Sequence, residues 1–66
     1  MKVGEIDFSA FNYKRICVDE WNQTHYPPGA EEILLKMHGE KEVEGEPSVD
    51  ELGWLLIVIK GAQAEV

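Results

Sequence analysis

Few side chains in this sequence could do chemistry: two histidines, one cysteine and 13 carboxylates among 66 residues. His25 and His38 stand thirteen positions apart and fall on different predicted elements. Joined by Glu40 or Cys17 they could on paper hold a metal, but metal sites show short, regular ligand spacings, and this sequence has none. A general acid and base built from two carboxylates needs burial to separate their pKa values, and most acids here lie in a polar stretch. There is no Gly-rich phosphate loop, nucleophile elbow or Ser/His/Asp arrangement. The expectation is a protein that is not an enzyme and uses no metal or cofactor. Cys17 lies between Ile16 and Val18, the setting of a small buried apolar residue. Lys14 and Arg15 supply some of the positive charge a reactive thiol would want.

Charge is the more distinctive feature. The chain has 13 acidic and 6 basic residues, a net charge of −7. Glu40, Glu42, Glu44, Glu46, Asp50 and Glu51, offset only by Lys41, carry −5 of that total. Such a run is either a solvated linker or a negative face for a basic partner surface. The acidic excess argues against direct nucleic-acid binding, because Lys36 and Lys60 are outweighed and base readers need Arg and Lys on one face. Trp21, Tyr26 and Trp54 are of the residue types that anchor protein interfaces, and they complete the candidate partner-binding set.

These groups must be positioned by a single domain spanning residues 1–66. A core this small seldom contributes more than about 3–5 kcal/mol. The lone cysteine excludes an internal disulfide, which points to self-association or a partner. Met1-Lys2-Val3-Gly4-Glu5 lacks the apolar run of a secretory signal. The longest apolar stretch, Leu52 to Ile59, is too short for a membrane span of about 20 residues. A cytoplasmic setting without membrane contact is expected.

Glycine and proline divide the chain into three pieces. In the middle one, Ala30, Ile33, Leu34 and Met37 make an apolar stripe at helical spacing, with acids in the first turn and Lys36 and His38 in the last. The pattern predicts a helix over about 28–38, closed by Gly39 and followed by an acidic linker over 39–47. In the last piece Ser48-Val49-Asp50-Glu51 reads as a capping box. Val49, Leu52, Leu56 and Ile59 then share a face of a helix over about 48–60, its core being Leu52, Leu56 and Ile59. The rival is a central strand over 54–60, favoured by the β-branched Ile57-Val58-Ile59. The first piece, free of Gly and Pro from residue 5 to 26, predicts a helix over about 8–22, with a strand through Tyr13 to Val18 as its rival. The expected fold is all-α, a three-helix domain, with α+β as the alternative.

In size, acidity and lack of catalytic residues, the chain is similar to small phage-encoded inhibitors, anti-CRISPR proteins among them; the similarity is one of composition. It implies an inhibitor or regulator that docks on a protein partner, occupying a basic surface that otherwise receives nucleic acid. The alternative is a structural or assembly subunit that forms a homo-oligomer through its apolar C-terminal element. A helical DNA-binding regulator fits the charge balance least well.

Overall fold

A computed structural model of the chain describes residues 1–61. The architecture is α+β, not the three-helix bundle expected. Four strands, β1 (Arg15–Asp19), β2 (Gln23–Tyr26), β3 (Ser48–Val49) and β4 (Trp54–Val58), form one mixed sheet in the order β2-β1-β4-β3. One helix, α1 (Glu31–His38), and two 3-10 turns at Val3–Glu5 and Phe8–Ala10 complete the fold. β1 pairs antiparallel with β2 and parallel with β4, and β3 pairs antiparallel with β4.

The helix expected over 8–22 is replaced by a 3-10 turn and a hairpin. Ile16, Cys17 and Val18 are buried in succession, Ile16 and Val18 toward the core and Cys17 on the other face between its cross-strand neighbours His25 and Leu56, as in a central strand. The turn between β1 and β2 uses Glu20, Trp21 and Asn22, with no glycine, no proline and no residue at positive φ. The lack of a breaker was therefore no sign of helix.

The C-terminal helix is also overturned, and its strand rival is the arrangement present. Ser48 does not cap a helix but lies in β3 opposite Leu56. Asp50 turns its carboxylate to the backbone, accepting from the N–H of Leu52 at 2.9 Å and of Trp54 at 3.0 Å. Gly53, at φ +82°, reverses the chain into β4. Leu52, expected in the core, is 63% exposed in this turn, and Leu56 is half-buried, while Ile59 is buried as expected.

Register defines two faces. Ile16, Val18, Leu55 and Ile57, all fully buried, face inward with Tyr26 and Val49 from the edge strands. Val3, Ile6, Leu34, Val43 and Ile59 close this core, with Phe8, Phe11 and Tyr13 packed against it. Only Leu34 and His38 of α1 are buried; Ile33 and Met37, assigned to the apolar stripe, are exposed. Residues 39–47, expected to be a linker, run along β4: Val43 bridges Ile59, and the Glu44 N–H donates to the Val58 carbonyl at 2.7 Å. A bend at Gly45 (φ +72°) separates this stretch from β3. No helix among the described residues is long and apolar enough to cross a membrane.

Candidate interaction surface

The outer face of the sheet carries the side chains that alternate with the core: Arg15, Cys17 and Asp19 from β1, Gln23 and His25 from β2, Trp54, Leu56 and Val58 from β4, and Ser48 from β3. The helix and both 3-10 turns contribute to the core on the inner side. On the outer side Cys17 is buried, while Trp54, Leu56 and Val58 are half-buried. Parallel strands are normally covered on both faces, and among the described residues the β1–β4 pair presents a partly exposed apolar band.

One end of this band is aromatic and basic. The Arg15 guanidinium carbon lies 5.5 Å from the centre of the Trp54 ring, and the His25 ring meets Trp54 edge-on at 5.0 Å. Beside them, Arg15, His25, Tyr26 and Pro27 line an open concavity of about 350 Å³.

The far edge is acidic. Glu42 and Glu44 are exposed on either side of the buried Val43, which bridges Ile59, so the extended backbone there sends both glutamates to the side opposite Val43. The stretch expected to be an acidic linker is thus tied to the sheet at this point. Glu40 reaches Lys2 at 3.3 Å and Glu42 reaches the Met1 ammonium at 3.1 Å, both exposed pairs of the weak kind. Glu44, Glu46 and Glu51 are exposed and make no ion pair with the described residues. Asp50 is committed to its turn.

The three aromatics proposed as anchors are not brought together. Trp54 lies on the outer face, Trp21 at the hairpin tip beyond the other end of β1, and Tyr26 on the inner side. Tyr26 belongs to a buried polar cluster that the sequence did not reveal. His38 is 7% exposed, its Nε2 lying 3.0 Å from the Tyr26 hydroxyl and its Nδ1 3.1 Å from Lys41 Nζ. An ammonium can only donate, so Nδ1 accepts and Nε2–H donates to Tyr26. Lys41 also donates to both Glu20 oxygens, at 2.6 and 3.0 Å. Burial, then the Lys41 charge, hold the His38 pKa below its ordinary value, opposed by Glu20. No buried side-chain N or O among the described residues lacks a partner. The cluster fastens α1 to the β1–β2 hairpin.

Cys17 is buried, and burial first, then Asp19 and Asp50, raise its pKa. It therefore stays a thiol at neutral pH, and the flanking Lys14 and Arg15 do not activate it. Tyr13 donates to Glu31 and is pushed up to about 12 by burial and that bond, which in turn lowers Glu31. No group of three metal-ligating side chains occurs among the described residues.

The fold and surface define a class, a small α+β domain with a sheet covered on one side. No protein-family model, curated protein or solved structure matches the chain.

Proposed function

We propose that this chain is a non-enzymatic binding module, an inhibitor or regulator that docks the outer face of its sheet on a basic protein surface. The observation carrying this reading is the outer side of the parallel β1–β4 pair, where Trp54, Leu56 and Val58 are partly exposed beside the glutamate-bearing edge. Apolar contacts hold such a complex, while Glu42, Glu44 and Glu46 steer its approach and compete with phosphates for the same basic surface. The buried Cys17 thiol suits a reducing, cytoplasmic setting.

The test uses the partner captured from the source cell and then purified. Replacing Glu42, Glu44 and Glu46 with Gln slows association and flattens its salt dependence, Trp54→Ala speeds dissociation, and added nucleic acid competes. Unchanged binding of the triple variant across a salt series would return the acidic edge to a merely solvated role. One observation favours a second occupant, another copy of the chain: the outer face carries Arg15 and His25 at one corner and glutamates along the opposite edge, a self-complementary arrangement for a two-fold pair. Light scattering on the isolated protein decides, since a stable dimer dispersed by Trp54→Ala supports that arrangement.

A further inference from the structure

The structure assigns a ligand site to the corner of the outer face formed by Arg15, His25, Trp54 and Pro27, and we propose that it takes a small planar carboxylate joined to an apolar body. This site is separate from the acidic edge and does not depend on the docking reading.

Arg15 is the only arginine in the chain. In a protein with more than twice as many acids as bases it makes no ion pair among the described residues, whereas Lys2 and Lys41 both do. Its guanidinium lies over the Trp54 ring, 5.5 Å from its centre, and Trp54 is in turn met by His25. A guanidinium held against an aromatic face keeps its in-plane N–H groups free, and that fork matches the two oxygens of a carboxylate. Register explains why these groups converge. Arg15 pairs with Trp54 across the parallel ladder, and one step beyond the pair Ile16 and Tyr26 it faces Pro27. His25 lies on the same face, opposite Cys17.

The concavity, about 350 Å³, is lined by Arg15, His25, Tyr26 and Pro27, with Trp54 behind it through its contacts to Arg15 and His25, and is at the small end of the usual range for ligand pockets, roughly 300–1,000 Å³. Pro27 and the aromatic rings supply apolar walls, and Arg15 supplies one full positive charge. A carboxylate carries one negative charge, which that guanidinium can balance. A phosphate dianion would need more, and the net charge of −7 opposes it.

The experiment follows Trp54 emission in a Trp21→Phe background, Trp21 being exposed at the hairpin tip, while 3-phenylpropionate, its neutral amide or inorganic phosphate is added. Backbone NMR shifts locate the response. Saturable binding of the acid is expected, with the strongest shifts at Arg15, His25 and Trp54. The amide and the Arg15→Gln variant should each bind about tenfold or more weakly, because a charge-assisted forked pair is lost. Arg15→Lys keeps the charge without the fork and should fall between. Arg15 is exposed, so its variants keep the unfolding midpoint of the parent, and His25→Ala gives an independent check on the same corner. Equal binding of acid and amide, retention of affinity by Arg15→Gln, or phosphate binding as tightly as the carboxylate would each overturn the assignment.

Discussion

Truncating Leu55 tests the arrangement on which the whole surface depends. Leu55 sits in the middle of the sheet, fully buried between β1 and β3 and facing the core. Removing three of its carbons costs the transfer energy of the lost atoms and leaves a cavity that a short strand paired on both sides cannot collapse into, about 2–5 kcal/mol in all. Leu52, 63% exposed in the turn before β4, loses little when cut to Ala, within about 0.5 kcal/mol. A helix over 48–60 predicts the reverse, with Leu52 in the core. Urea unfolding followed by circular dichroism separates the two. With a slope of about 1 kcal/mol per molar for a small domain, Leu55→Ala should lower the midpoint by about 2 M or more, or leave no folded baseline at all. Leu52→Ala should unfold with its parent. Measuring at several protein concentrations isolates any contribution of self-association. Comparable losses for the two variants, or a larger one for Leu52→Ala, would refute the inward assignment of Leu55 and with it the outer face.

The pH dependence of stability should report the His38 cluster. The folded pKa of His38 lies below its ordinary value of 6.5, so the unfolded chain takes up the proton first. The stability it confers is complete above about pH 6.5 and is lost as pH falls through the folded value. Thermal unfolding between pH 7.5 and 5.5, a window chosen roughly to stay above carboxylate titration, should show that decline, and His38→Gln should flatten it. At Gly53, φ +82° and a would-be Cβ 3.3 Å from the Lys14 side chain make Gly53→Ala destabilising, by about 1–2 kcal/mol for the left-handed conformation alone. Urea unfolding measures this loss, and no change would mean the turn can relax.

The helix was the part of the fold most open to sequence reading, and even there the buried side was misassigned. Glu31 and Glu32 at its start, Lys36 and His38 at its end, and Gly39 after it mark α1 within three residues. The spacing of Ile33, Leu34 and Met37 suggested a wide apolar stripe. A single helix of eight residues, set among two 3-10 turns over one sheet, buries only the narrow row of Leu34 and His38. A histidine in that row looks polar in sequence, and nothing local shows that Tyr26, Glu20 and Lys41, drawn from three other segments, will satisfy it. The strands failed for a different reason. Dense apolar runs such as Trp54 to Ile59 satisfy the helical and the extended period alike, and Gly53, which lies inside the expected helix, instead forms the turn that leads into β4. Glu42, Val43 and Glu44 carry a polar–apolar–polar alternation, but one apolar residue among six acids is too short a pattern to distinguish an extended segment from a solvated linker.

That alternation changes what the acids can do. In a free linker, six carboxylates would average over many orientations and act only as net charge. With Val43 bridged to Ile59, the Glu44 N–H bonded to the Val58 carbonyl and the Lys60 N–H bonded to the Glu42 carbonyl, the backbone of Glu42 and Glu44 is fixed relative to Trp54, Leu56 and Val58, so charge and apolar area would meet a partner in one geometry. Among the described residues, α1 and the two 3-10 turns supply the covering layer of the inner face. A parallel pair apolar on both sides then has an unmet requirement on the other. Antiparallel sheets commonly resolve this with polar outer residues, as β2 does with Gln23 and His25. In β4 the outer positions are Trp54, Leu56 and Val58, which bury favourably only against something else. The physical basis of the proposed docking is therefore that a partner laid on this side would bury Trp54, Leu56 and Val58 further.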